Sequence, residues 1–135
     1  YLDVYRIING SKFILPFNPS HTLISTFSFN PLNKKWHFDM NLHWYGEQRL
    51  AVTAANPPEY QLPETSKPYS ILNAQFTKSW KRLEIYAGCE NIFDFRQKRP
   101  ILSWQNPFGP YFDTSSVWGP TRGRELYAGL RFKIE

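Results

Sequence analysis

The run Trp36-His37-Phe38-Asp39-Met40-Asn41-Leu42-His43-Trp44-Tyr45 holds two of the three histidines, with a carboxylate between them. Imidazole and carboxylate are the groups from which metal sites and acid/base pairs are made. Spacing argues against both uses. On an extended chain His37 and His43 stand about 20 Å apart at roughly 3.4 Å per residue, too far to share one ion. His37 and Asp39, about 7 Å apart on one face, would need ligands from elsewhere. Asp39, Glu84 and Glu90 make no acid/base pair, and the chain has neither a Ser/His/Asp set nor a glycine-rich phosphate loop. The single Cys89 excludes an internal disulfide and a Cys-based zinc site. No catalytic residue, metal site or cofactor is assigned, and the polar side chains are expected to line a hydrated surface.

The elements that carry these residues alternate with a period of two. Trp36, Phe38, Met40, Leu42 and Trp44 point one way and His37, Asp39, Asn41, His43 and Tyr45 the other, which predicts a β-strand between two unlike environments. Leu83-Glu-Ile-Tyr-Ala-Gly-Cys-Glu90 does the same, with Leu83, Ile85, Ala87 and Cys89 against Glu84, Tyr86, Gly88 and Glu90. Further strands are predicted at 1–8, 21–29, 69–80 and 123–134, with the strand from Arg82 running to about Phe93. Asn73 and Gln75 take the polar face of the fourth, and Arg131 that of the last. Glu90 is expected near Arg131 and Lys133 on the neighbouring strand, close enough for a cross-strand ion pair. Connections at 30–35 and 79–81 are short. Those at 9–20, 46–68 and 94–122 are long and rich in Pro, which forbids regular pairing.

What lies against the apolar faces decides the class. Aromatic residues make up 18% of the 135 residues, yet mean hydropathy is −0.50 and no apolar run reaches the roughly 18 residues of a membrane helix. A transmembrane β-barrel has that profile, because lumen-facing polar residues offset lipid-facing apolar ones. A soluble, aromatic-rich β-sandwich that binds carbohydrate has it too. The net charge of +5 is spread along the chain, and a wholly apolar strand face does not suit nucleic acid. Loop lengths favour the barrel, since outer-membrane barrels put short turns on the periplasmic side and long loops outside. Trp36 and Trp44 lie eight residues apart, about 27 Å along a strand. Tilted by about 40°, that is near the roughly 25 Å band that aromatic girdles bracket. Trp36, Trp44 and Trp80 are therefore expected as membrane-interface anchors.

Several segments together resemble the end of a TonB-dependent outer-membrane receptor, especially those of Bacteroidetes-like bacteria. They are Leu15-Pro-Phe-Asn-Pro-Ser-His-Thr22, Tyr69-Ser-Ile-Leu-Asn-Ala-Gln-Phe76 and Leu83-Glu-Ile-Tyr-Ala-Gly-Cys-Glu-Asn-Ile-Phe-Asp94. Asn106-Pro-Phe-Gly-Pro-Tyr-Phe-Asp113 with Val117-Trp-Gly-Pro120, and Gly123-Arg-Glu-Leu-Tyr-Ala-Gly-Leu-Arg-Phe132, follow in the same order. The close on Phe132-Lys-Ile-Glu135 departs from the terminal aromatic common in such proteins.

The resemblance implies that residues 1–135 are about the last five or six strands of a 22-stranded barrel, with the plug and earlier strands outside this chain. It implies import of a scarce nutrient, such as a siderophore, haem, vitamin B12 or a metal complex. The implied partners are the rest of the receptor, a TonB-type energy-transducing complex, outer-membrane lipid and lipopolysaccharide, and the small nutrient ligand. In that setting His37, Asp39, Asn41, His43, Asn73, Gln75, Glu90 and Arg131 face the lumen. Trp104, Phe108, Tyr111, Phe112 and Trp118 of the long loop 94–122 either contact a ligand or pack the loop on itself. Arg96, Lys98, Arg99, Arg122 and Arg124 either attract an anionic cargo or meet lipopolysaccharide phosphates.

Overall fold

Alternation of the kind just described needs a sheet with two different faces, and a computed structural model of the chain supplies one. It describes residues 4–32 and 35–134, so the expected strand residues 1–3, part of the connection 30–35, and Glu135 lie outside the described residues. The fold is all-β, with seven strands and one short 3-10 turn at Pro58–Tyr60 among the described residues. The strands are β1 (Tyr5–Ile8), β2 (Ser11–Ile14), β3 (Thr22–Phe29), β4 (Trp36–Tyr45), β5 (Tyr69–Ser79), β6 (Leu83–Glu90) and β7 (Glu125–Phe132).

Strands β3 to β7 form one five-stranded sheet in chain order. The amide of Ser79 donates to Lys35 O and that of Gly46 to His21 O, so each strand runs back beside its predecessor. In the register of β6 against β7, Leu83, Ile85, Ala87 and Cys89 stand opposite Phe132, Leu130, Ala128 and Leu126. Glu84, Tyr86, Gly88 and Glu90 stand opposite Arg131, Gly129, Tyr127 and Glu125. β5 keeps the same division, with Ala74 and Phe76 facing Cys89 and Ala87 while Gln75 and Thr77 face Gly88 and Tyr86. One face is thus apolar across neighbouring strands and the other polar, as the alternation predicts.

The register corrects one expected contact. Arg131 sits opposite Glu84 and pairs with it at 2.5 Å, whereas Glu90 stands at the other end of β6 opposite Glu125. An antiparallel partner runs backwards, so the last residues of β7 meet the first residues of β6.

A second correction concerns the chain's start. Ser11 to Ile14, expected within a loop, form β2, which pairs with β1 in a separate two-stranded sheet. Asn9 and Gly10 have φ of 49° and 77°, and two consecutive positive φ values make the tight hairpin turn whose twist matches its strands. Asn-Gly is the pair that adopts it most readily.

The residues fall into two compact units. One comprises residues 23–44, 70–95 and 122–135, essentially the five-stranded sheet. The other comprises residues 1–22, 45–69 and 96–121, the β1–β2 hairpin and the long connections. Leu50 and Leu102 are the buried hydrophobic residues among those described, and both belong to the loop unit. Among the described residues the sheet unit buries no hydrophobic side chain: Leu126 is 79% exposed and Leu130 70%.

Candidate functional site

On the polar face of the sheet, side chains bond to one another across strands. Thr26 donates to Asn41 Oδ1 (2.9 Å), and Ser28 donates to Asp39 Oδ1 (2.6 Å). The other Asp39 oxygen meets His37 Nε2 at 2.5 Å, and His37 Nδ1 meets Asn30 Oδ1. Tyr127 donates to Gln75 Oε1 (2.9 Å), and Ser79 donates to Glu84, which also holds Arg131. Asp39, Asn41, Asn73, Gln75, Glu90 and Tyr127 line a depression of about 340 Å³. Of the residues expected on this face, the structure brings Asp39, Asn41, Asn73, Gln75 and Glu90 together there, and sets His37 against Asp39. His43 shares the face of β4 by its place in the alternation, and Arg131 lies with Glu84 at the end of the short connections. Among the described residues no three His, Cys, Asp or Glu side chains gather as a metal site would. The surface offers hydrogen bonds to water or to a hydrated partner.

Two reciprocal contacts hold β6 to β7 on the same face. The Tyr127 ring lies over Gly88 and the Tyr86 ring over Gly129, so close that a Cβ on either glycine would fall 2.3 Å from the phenol. The two rings also meet each other, with centroids 6.5 Å apart. A side chain at either glycine would push the neighbouring ring off the sheet.

The opposite face carries the expected anchors. Trp36 and Trp44 are the first and ninth residues of β4, and Trp80 follows the last residue of β5. Trp36 packs on Phe76 with centroids 5.0 Å apart, and Phe27 on Phe38 at 6.3 Å.

Where β6 leaves the sheet, Asn91 organises the exit. It has a φ of 48° and is buried. Its amide donates to Asn73 Oδ1 (2.9 Å), and its Nδ2 donates to the carbonyls of Phe95 (2.8 Å) and Arg122 (3.2 Å). Its Oδ1 accepts the Phe95 amide (3.1 Å). Arg124 donates through Nε and Nη2 to Ile92 O, and the Arg124 amide donates to Asp94. The expected strand ends at 93 and 123 are cut back to 90 and 125 by this knot. The Asn-Ile-Phe-Asp segment is thus a device for reversing the chain.

In the loop unit, buried glutamines replace a core. Gln97 donates from Nε2 to Ser116 O (2.9 Å), and its Oε1 accepts the amides of Trp118 (2.8 Å) and Gly119 (3.1 Å). Gln48 donates to Trp118 O (3.0 Å), which also accepts from the Tyr69 hydroxyl. The Tyr69 ring stacks on Tyr45 (4.9 Å) and tilts against Trp118 (5.8 Å). Asp113 accepts from the hydroxyls of Ser116 (2.6 Å) and Ser115 (2.7 Å) and from the Ser115 amide. Those donors, Ser116 foremost, hold its carboxyl below the ordinary value.

The five aromatic candidates of the long loop divide. Trp118 is half-buried and Tyr111 stacks on Tyr60 (5.2 Å), so these two pack the loops on themselves. Trp104 is 64% exposed, Phe108 is fully exposed and Phe112 is partly so. Trp104 borders a depression of about 360 Å³ with Tyr60, Arg99 and Ile101. A larger depression of about 630 Å³ lies along residues 47–54 and 61–65 together with Ile14, Asn18 and Ser20. Gln48 and Gln97 carry no sequence signal, since their side-chain partners are backbone groups distant in the chain. Asn91 carried a signal: Asn is among the few side chains that tolerate a left-handed backbone.

No family model, curated protein or solved structure matches the chain.

Proposed function

We propose that this chain is the closing portion of a transmembrane β-barrel belonging to a TonB-dependent outer-membrane receptor, an active importer of a scarce nutrient without enzymatic activity. The observation that carries the reading is the two-faced sheet. Its apolar face is exposed along neighbouring strands, while its polar face is knitted by side-chain hydrogen bonds. A soluble protein would bury the first face, at roughly 25 cal/mol per Å² of apolar surface removed from water. A carbohydrate-binding β-sandwich needs a second sheet there, and the other sheet among the described residues is the two-stranded β1–β2. Lipid is the environment that makes an exposed apolar sheet face favourable.

Three further features agree. β4 spans 10 residues and β5 11, about what a tilted strand needs to cross a bilayer. Chain order in the sheet sends the connections 46–68 and 91–124 from the same end of the strands, the side taken as extracellular. Among the described residues the outer strands β3 and β7 each have one edge without a neighbour in the sheet, an edge that the remaining strands of a closed barrel would pair. The polar face then turns to the lumen and a plug, the exposed loop aromatics to a small nutrient ligand, and the apolar face to outer-membrane lipid. Energy supply by a TonB-type complex, and cargo of the siderophore, haem, vitamin B12 or metal-complex kind, rest on the ordered motifs alone.

Extraction tests the class. The native protein is expected to stay with membranes through high-salt and alkaline washes and to enter solution only with detergent. Recovery in the salt wash would overturn the reading.

A further inference from the structure

The end of the sheet with the short connections is basic. The Ser79 amide donates to Lys35 O, Trp80 N donates to Leu83 O, and Lys133 N donates to Arg82 O. These bonds set the start of β4, the β5–β6 turn and the end of β7 side by side. Along this rim lie Lys35, Lys78, Lys81, Arg82 and Lys133. Among the described residues the carboxylate beside them is Glu84, held by Arg131 at 2.5 Å and by Ser79. At the other end of the same unit Glu90, Asp94 and Glu125 stand among Arg122 and Arg124, a mixed population. Charge is therefore segregated along the strand axis.

Lys78 joins this rim to the apolar face. It shares the face of Phe76, and its Nζ lies 3.6 Å from the centroid of the Trp36 indole and 5.1 Å from that of Trp80. Both distances suit a cation–π contact. The aliphatic stem thus lies on apolar surface while the ammonium is carried to the edge between two indoles, the posture of a lysine at a boundary between hydrocarbon and water. Lys81, in the β5–β6 turn, and Lys133, one residue beyond β7, are exposed at the same end of the sheet.

Resting on the barrel reading above, we propose that this rim is a binding site for the phosphate of anionic phospholipid headgroups in the leaflet facing the short connections. Lys78, Lys81 and Lys133 supply the charge, and Trp36 and Trp80 fix its depth. Charge complementarity selects the occupant, because clustered cations at an interface favour anionic over zwitterionic lipid by roughly fivefold per residue near the surface.

The test uses the full-length protein, extracted in detergent and reconstituted in nanodiscs of equal phosphatidylglycerol and phosphatidylcholine, with bound lipid identified by native mass spectrometry. The wild type is expected to retain phosphatidylglycerol over phosphatidylcholine by about tenfold or more, within what three such lysines can supply. The triple variant Lys78→Gln, Lys81→Gln, Lys133→Gln is expected to lose the preference, and the matching Arg variant to keep it. Equal retention of the two lipids by the wild type, or an unchanged preference in the Gln variant, would overturn the site while leaving the barrel reading intact. Failure of the wild type to enter a bilayer of either lipid would overturn both.

Discussion

Asn91 makes five hydrogen bonds, three of them through its side chain, at a backbone conformation that most residues avoid. Asn91→Ala removes the three side-chain bonds, leaves two carbonyls and an amide without that partner, and keeps a left-handed backbone that Asn tolerates better than Ala. The expected loss is about 2–4 kcal/mol, from the cost of unsatisfied buried groups plus about 1 kcal/mol of backbone strain. Asn91→Gly, relieved of the strain, should lose less. Denaturation midpoints of the detergent-solubilised protein would rank the three, and equal midpoints for Ala and wild type would contradict the role given to Asn91.

Asp113 makes a pH prediction at the same scale. Its folded carboxyl titrates below the ordinary value because serine hydroxyls donate to it. As pH falls below about 4 the unfolded chain takes up a proton that the folded loop resists. The stabilising contribution is therefore complete above that range and disappears as pH falls through the lowered value. The protection factor of the Ser115 amide, its exchange relative to the intrinsic rate at each pH, should fall in that acid window in wild type, and Asp113→Asn should show a weaker pH response.

Among elements, the pairing of β6 with β7 is marked by two reciprocal ring-on-glycine contacts. Tyr86 over Gly129 and Tyr127 over Gly88 interlock only in the observed register, because a one-residue slip turns every side chain to the other face. Gly88→Ala should displace the Tyr127 ring and break its hydrogen bond to Gln75. Adding Tyr127→Ser should recover part of the lost stability, since the two changes share one contact and will not add. A strictly additive double variant in thermal melts would remove the interlock from the account.

For the whole molecule, the testable quantity is which face meets lipid. Cys89, the single cysteine, lies on the apolar face opposite Leu126. In membranes it should react with an apolar maleimide and resist a charged, impermeant one, while Gln75→Cys in a Cys89→Ala background should react with the charged reagent once the barrel is open to water. Ala128→Arg, on the apolar face near the middle of β7, should reduce membrane assembly by about 2–4 kcal/mol. Free labelling of Cys89 by the charged reagent would place that face in water and defeat the lipid assignment.

Much of this architecture was legible along the chain because strand periodicity is local. Each of Trp36, Phe38, Met40, Leu42 and Trp44 takes its face from its neighbours two residues away, so five strands and their sidedness follow from alternation alone. The Asn9-Gly10 turn is as local, but the strand after it is four residues long and carries no clear alternation, so the sequence signals the turn and not the hairpin. Cross-strand facts are of another kind. That Arg131 meets Glu84 and leaves Glu90 opposite Glu125 depends on a register set by the far ends of two strands. That Gln48 reaches Trp118, or that Asn91 holds Arg122, depends on chain closure over tens of residues. Alternation assigns a side chain to a face at no cost in long-range order. Choosing its partner on that face requires the whole sheet and its loops to be in place.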